Sequence, residues 1–174
     1  KAGEIAQKAK KNYPNVLIAG GLPPQYLTYE ADTRSEKVIR NDFYSQAKLL
    51  NPYIDFFYFD VLSSVREFQI AIDCIKEFNK PYLIGAHISE GTKLPSGENI
   101  SEITTKIKHK NLLGIMLSCI SPENYELNLD EIKNLGIPFG FKLNGFVKTN
   151  PKPNYTGAYK KSKTGNPNEF LGQR

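Results

Sequence analysis

Five short apolar runs, each nearly continuous, constrain the fold of this chain more than any other feature of its sequence. They cover residues 16–19, 54–59, 82–86, 112–117 and 139–143. Continuous apolar character, without strict alternation, predicts strands that are buried on both faces. Between the runs, longer segments with apolar residues at helical spacing predict helices near 36–50, 64–79, 101–110 and 122–135.

The alternating order of predicted strands and helices places the chain in the α/β class, with a parallel sheet. Two architectures fit this order: an open, doubly wound sheet and part of a (β/α)8 barrel. No G-x-G-x-x-G or Walker-type sequence follows any of the five runs. Nucleotide binding therefore has no support from a local motif.

Length and composition restrict the class of protein further. A chain of 174 residues with 40% hydrophobic and 24% charged residues is typical of one globular domain. No apolar run approaches the roughly 18 residues of a membrane-spanning helix, so no membrane partner is expected. Two cysteines, Cys74 and Cys119, exclude a disulfide-rich secreted scaffold and are too few for a structural zinc site alone. We therefore expect a reduced, cytoplasmic location.

The net charge of +5 is concentrated towards the C-terminal end of the chain. Residues 132–168 contain seven lysines and no Asp or Glu. Such a stretch can bind nucleic acid, but from residue 148 the lysines are mixed with Asn, Pro and Gly, with only Tyr155 and Tyr159 to stack on bases. This composition favours a solvated loop, and we expect small-molecule partners rather than nucleic acid.

Polar or flexible residues follow the five runs, at the positions where the predicted strands end. Ligands of parallel α/β proteins bind at the carboxyl ends of the strands, so these residues are the candidates for a functional site. They are Gly20, Gly21, Asp60, His87, Cys119 and Asn144.

Each candidate also has a structural interpretation. The Cys119 thiol could act as a nucleophile or metal ligand, or could pack as a small buried hydrophobe. Asp60 could bind a substrate amine, or could cap the helix that follows it. His87 could be a ligand or a base, although no Cys, Asp or second His lies near it at metal-ligand spacing. The pair Gly20 and Gly21 could admit the close approach of a ligand, or could form a turn.

Three other residues with reactive side chains are expected to be structural. Cys74 flanks the apolar stripe of predicted helix 64–79, and Glu67 lies near the start of the same helix. His109 falls on the surface of predicted helix 101–110. Packing or solvent contact accounts for each of them.

Taken in order, the strand ends resemble the homocysteine S-methyltransferase family, which includes the betaine–homocysteine methyltransferases. GGLPP at 20–24 is similar to the Gly-Ser-Leu-Pro-Pro loop of that family, and Thr28-Tyr29 to the Ser-Tyr after it. Asp60 with Glu67 is similar to a strand that ends in Glu, with a second Glu seven residues later. Further similarities, in family order, are LPSG at 94–97, GIMLSC at 114–119, NG at 144–145 and PNEF at 167–170.

This resemblance implies a partial (β/α)8 TIM barrel. Residues 1–174 would form a single partial homocysteine-binding domain that corresponds to strands three to seven of eight. The first two strands would lie before Lys1, and the last strand, with a Gly-Gly-Cys-Cys that supplies two zinc ligands, would lie after Arg174. A complete barrel takes about 250 residues, so we expect a fragment that is inactive alone.

The resemblance also implies a zinc-dependent methyltransferase. Such an enzyme passes a methyl group from a sulfonium or quaternary ammonium donor to the thiol of homocysteine, and methionine is formed. In this interpretation Asp60, Gly20, Gly21 and Asn144 bind substrate, and Cys119 is a zinc ligand.

Three positions depart from the pattern of that family. Asp60, Val61 and Ser118 stand where its members usually have Glu, Thr and Asn. Two alternatives follow from these differences. One is a methyltransferase for another thiol, and the other is a catalytically degenerate member that acts as a binding or structural protein.

Overall fold

The computed structural model describes residues 1–88, 90–107 and 111–145. The helices in this part of the chain are α1 (Ala2–Lys10), α2 (Glu36–Leu50), α3 (Val65–Ile75), α4 (Ile100–Lys106) and α5 (Pro122–Lys133). The strands are β1 (Ala19–Leu22), β2 (Phe56–Leu62), β3 (Tyr82–His87), β4 (Leu112–Ile120) and β5 (Phe139–Leu143). None of the described helices is long and apolar enough to cross a membrane. The predictions for His109, for the lysine-rich stretch after residue 145 and for residues 167–170 lie outside the described residues.

All five strands are parallel and pair in chain order, β1-β2-β3-β4-β5. A doubly wound sheet reverses its strand order at a switch point, and the described sheet contains no reversal. Each helix from α2 to α5 contacts the next one, as in the outer ring of a (β/α)8 barrel. The predicted α/β class and partial barrel are therefore confirmed.

One face of the sheet packs against the helices and forms the hydrophobic core. Phe59, Ile84 and Ile115 lie in one row across three strands and are fully buried. On the same face, the Tyr125 ring of α5 lies 4.9 Å from the Phe141 ring of β5. Burial of these large apolar side chains is the main source of stability for the sheet.

The opposite face of the sheet, called the inner face below, lines the interior in a (β/α)8 barrel. Strand alternation places a polar set of side chains on it near the carboxyl ends. This set consists of Tyr58 and Asp60 of β2, His87 of β3, Ser118 of β4 and Lys142 of β5.

Serine residues cap α3 and α5, the helices that follow β2 and β4. The Ser64 hydroxyl accepts a hydrogen bond from the backbone N–H of Glu67 and donates one to its buried carboxylate, over 2.7 Å. Ser121 accepts in the same way from the N–H of Asn124. Such caps satisfy backbone donors that the first helical turn leaves unpaired. Because Ser64 caps α3, the capping interpretation of Asp60 is wrong, whereas the structural role of Glu67 stays a prediction.

Strand β1 begins three residues later than the sequence predicts. Val16 and Leu17, which start the apolar run, are 52% and 63% exposed. The strand includes Gly20 and Gly21, which the pattern placed after it. A Cβ atom on Gly20 would lie 2.5 Å from Cδ1 of Ile54, so only glycine allows this close packing.

The edges of the described sheet predict self-association of the 174-residue chain. β1 and β5 each have one side without a strand partner there, and open edges pair with other chains. Light scattering should therefore show oligomers that grow with concentration. Ala19→Lys places a charge at an exposed position of β1 and should reduce this association. A chain that stays monomeric at every concentration would contradict the prediction.

Candidate functional site

The carboxyl ends of four neighbouring strands bring polar residues together, among them the predicted site residues Asp60 and His87. His87 is the register partner of Ser118, and Ser118 is the partner of Lys142. The Lys142 side chain reaches back across β4 and β3, and its Nζ lies 2.7 Å from both carboxylate oxygens of Asp60. This group forms a polar cluster on the inner face.

Tyr58 forms the floor of this cluster. Its hydroxyl lies 2.7 Å from Oγ of Ser118, so the side chain spans the strand between them. The ring crosses that strand at Gly85, where a Cβ atom would lie 2.9 Å from both Tyr58 Cε2 and Ser118 Oγ. Burial raises the pKa of Tyr58 well above its usual range, so the hydroxyl stays protonated at neutral pH.

Bulges interrupt two of the site strands beside the predicted functional residues. The register of β2 against β3 shifts after Phe59, and that of β4 against β5 shifts after Ser118. Within the bulges, Val61 and Cys119 have left-handed backbones, with φ of 65° and 55°. This conformation costs a non-glycine residue on the order of 1–3 kcal/mol, and bulges of this kind concentrate next to active sites.

The two cysteines differ in exposure. Cys119 is half-buried at the end of β4, whereas Cys74 is 5% exposed within α3. The Cys74 Sγ donates to the backbone oxygen of Arg40 over 3.4 Å, and burial raises the pKa of this thiol. Cys74 is therefore a packing residue, as predicted, and Cys119 has the more accessible of the two thiols.

His87 is fully buried at the end of β3. Its Nδ1 lies 3.1 Å from the backbone oxygen of Ser118, and the Tyr29 ring packs on the imidazole with 4.4 Å between centroids. Burial lowers the pKa of His87 to about 4, so the ring is neutral at pH 7. Because a carbonyl oxygen only accepts, the neutral ring carries its hydrogen on Nδ1. This contact joins β3 to β4.

The remaining predicted substrate residues flank the cluster. A Cβ atom on Gly21 would meet nothing within 4 Å, so its backbone is open to close approach. Gly20 is buried against the core instead. Asn144 is half-buried after β5, and its backbone N–H donates to the oxygen of Ile120 over 2.9 Å. Their roles in substrate binding stay predictions.

Comparison with protein families decides the family of this chain. The sequence model of the homocysteine S-methyltransferases matches residues 1–170. The chain belongs to the homocysteine S-methyltransferase family. Among curated proteins, no significant match to the chain was found.

Solved structures with a similar fold include the homocysteine methyltransferase MmuM from Escherichia coli. The apo form aligns with a TM-score of 0.60 at 12% identity, and the alignment covers 82% of this chain and 64% of the MmuM chain. Its metallated form has a TM-score of 0.62 at 13% identity, with 82% and 62% covered. The carboxyl transferase domain of Rhizobium etli pyruvate carboxylase, with pyruvate, has a TM-score of 0.53 at 18% identity, with 80% and 25% covered. At these low identities the TM-scores show a shared fold alone, and the chain spans less than two thirds of the MmuM structures.

The metallated form of MmuM raises the question of which residues here fit a metal. Within 1–88, 90–107 and 111–145, no group of three or more His, Cys, Asp or Glu residues could hold a metal ion. Cys119 offers one thiol, which is a donor that zinc prefers. The described residues therefore fit one ligand of a thiolate zinc site and do not complete such a site.

Three residues in or beneath the cluster were not predicted from the sequence. Lys142 was counted with the solvated lysine-rich stretch, and Tyr58 and Gly85 were read as parts of apolar runs. The sequence does contain a signal for Lys142. A lysine between Phe141 and Leu143 interrupts a predicted buried strand, and a charge at such a position needs a partner.

The buried imidazole of His87 should make stability depend on pH between about 6.5 and about 4. Its folded pKa of about 4 lies below the usual 6.5, so in this window the unfolded chain binds more protons than the folded one. Stability is therefore lost as the pH is lowered from about 6.5 to about 4. The loss at the acidic end is about 3 kcal/mol. Denaturant unfolding at several pH values measures it. His87→Gln should remove this part of the pH dependence, and an unchanged slope in the variant would contradict the prediction.

Proposed function

We propose that this chain provides the acceptor side of a methyltransferase that methylates the thiol of homocysteine and forms methionine. Family membership supports the reaction class. The observation that carries the proposal is the placement of Asp60 and Cys119. Each lies at the carboxyl end of a strand, at a bulge with a left-handed residue. A carboxylate for an ammonium group and a thiol for a metal are thereby brought to one edge of the sheet.

In this proposal Asp60 binds the ammonium group of homocysteine. The Asp60 side chain is 27% exposed, so it is accessible to a ligand, and an ion pair with an ammonium is favourable there. Gly21 presents its backbone towards the inner face, and Gly20 and Asn144 complete the substrate contacts that the family resemblance implies.

Zinc is the metal that we propose. Free homocysteine is mostly protonated at neutral pH, since a thiol has a pKa near 8.5, and only the thiolate attacks carbon well. When bound, a zinc ion held by three thiolates would keep the substrate sulfur deprotonated. Cys119 would be one ligand, and the resemblance assigns the other two to a strand after Arg174.

The transfer step needs no acid from the described residues. The homocysteine sulfur forms a bond to the methyl carbon while the carbon–sulfur or carbon–nitrogen bond of the donor breaks. A sulfonium or quaternary ammonium donor leaves as a neutral molecule, with the electron pair of the broken bond. The described residues would therefore bind and orient the acceptor. The assignment of residues 1–174 to barrel strands three to seven and a cytoplasmic location belong to the same proposal.

A second candidate function is a catalytically degenerate family member that serves as a binding protein. The ion pair between Asp60 and Lys142 favours it, because the carboxylate proposed for the substrate is already paired. A methyltransferase for a different thiol is the other alternative, since aspartate has a shorter reach than the glutamate usual in the family. Methionine formation by the complete protein distinguishes these candidates.

Asp60→Asn tests the ammonium-binding role. Loss of a charged hydrogen bond, about 1.5–3 kcal/mol, should raise the KM for homocysteine by about tenfold to about a hundredfold. Stability should change little, because Ser64 caps the following helix. Asp55→Asn is the matched control: Asp55 precedes β2 and binds Lys10 and the Ile18 N–H, so its loss should lower stability and leave KM unchanged. Reduced stability with unchanged KM in Asp60→Asn would overturn the role.

Cys119→Ala tests the metal-binding role in the complete protein. Without this thiolate the protein should lose its zinc, expected at about one ion per chain, together with methionine formation. The fold should persist, since Cys119 is half-buried and outside the hydrophobic core. Cys74→Ala is the matched control and should keep both metal and activity. Metal analysis and a methionine assay measure the outcome, and full zinc with full activity in Cys119→Ala would exclude the role.

A further inference from the structure

Asp60 and Lys142 stand out by charge within the sheet. Among the residues of the five described strands, Asp60 is the only Asp or Glu and Lys142 the only Lys or Arg. They lie on β2 and β5, so two strands separate them. Even so, Nζ of Lys142 is 2.7 Å from each carboxylate oxygen of Asp60.

Stability does not account for this pair. The Lys142 and Asp60 side chains are 43% and 27% exposed, so water screens their attraction. Exposed ion pairs add little to stability, and holding a long lysine side chain in one conformation costs entropy. The geometry is instead that of a cation placed over the carboxylate proposed to bind substrate, with Nζ also 6.0 Å from the Tyr58 ring centroid.

The chemistry of the two groups suggests how they bind one ligand. The Lys142 ammonium is the same kind of group as the α-ammonium of an amino acid, so the two compete for Asp60. The flexible four-carbon stem of lysine lets the displaced ammonium move a short distance. In an amino acid the carboxylate is attached to the carbon that carries the ammonium. The displaced Lys142 ammonium therefore finds the carboxylate of the ligand beside Asp60.

We infer that Lys142 determines the class of acceptor: it binds the α-carboxylate of a thiol amino acid whose ammonium group binds Asp60. This inference rests on the proposed function. A carboxylate and an ammonium together match the two charges of a zwitterion, whereas a lone carboxylate would favour an amine. Selection against thiols that lack the carboxylate follows directly, because such ligands would have to displace Lys142 without giving it a new partner.

The test compares homocysteine with 3-aminopropane-1-thiol, which lacks only the carboxylate. Titration calorimetry on the complete, metal-loaded protein measures Kd without a methyl donor. Lys142→Met keeps the length of the side chain and removes its charge. It should weaken homocysteine binding by about tenfold. The same variant should bind the aminothiol as tightly as the wild type or more tightly, because Asp60 is then free. Lys142→Arg should keep the preference of the wild type for homocysteine.

Lys133→Met serves as the control, because this exposed lysine in the last turn of α5 lies away from the strand ends. It should leave both Kd values unchanged, and thermal unfolding should show that all variants are folded. Tighter binding of both ligands by Lys142→Met would mean that Lys142 only competes for Asp60. Unchanged or equally weakened binding would mean that it has no part in recognition. Each of these results overturns the inference.

A methionine assay on the same proteins, beside the calorimetry, separates this inference from the proposed function. If the wild type binds homocysteine with the expected preference but forms no methionine, the proposed reaction fails and the role of Lys142 stands. If methionine forms but Lys142→Met does not change the preference, only the inference fails. If the wild type does not bind homocysteine, both are overturned.

Discussion

Parallel pairing of the five strands in chain order brings all of their carboxyl ends to one edge of the sheet. Side chains that are far apart in sequence, such as Asp60 and Lys142, come within reach of each other for this reason. The helices cover the other face, so the inner face is left for polar groups. The core between sheet and helices holds the strands in place and keeps the strand ends aligned. The positions of the polar groups at the strand ends therefore depend on a hydrophobic core that does not itself contact a ligand.

Local departures from regular strand geometry complete the site. Regular alternation would direct successive side chains of β2 and β4 to opposite faces up to the ends of the strands. The bulges at Val61 and Cys119 break that alternation just where the proposed ligand and substrate groups lie. Valine is a costly choice for a left-handed backbone, because its β-branch crowds the main chain. The surrounding core offsets this cost, since Val61 is 5% exposed.

Much of this arrangement could be predicted from the sequence, and the exceptions have physical causes. Strands β2 to β5 were predicted within a few residues from their nearly continuous apolar runs. The expectation that these runs are buried on both faces is wrong for β2, which alternates half-buried and buried residues, and for β5, which has no buried residue. Helix α1 was missed although Ala2, Ile5, Ala6 and Ala9 recur at helical spacing; it buries no residue, and the ion pair of Lys10 with Asp55 ties it to the chain just before β2. The choice between barrel and doubly wound sheet needed strand order, which periodicity does not contain. The bulges and the reach of Lys142 depend on tertiary contacts, which local patterns do not report.

Gly85 controls the geometry of the site without offering any group to a ligand. Its missing side chain lets the Tyr58 ring lie against β3, with no room for even one methyl group beneath the ring. A Cβ atom there would also lie 2.5 Å from the backbone oxygen of Phe59, so even alanine would force β2 away from β3 as well as move the Tyr58 ring. The contact between Tyr58 and Ser118 and the close pairing of β2 with β3 therefore both depend on a residue that has no side chain.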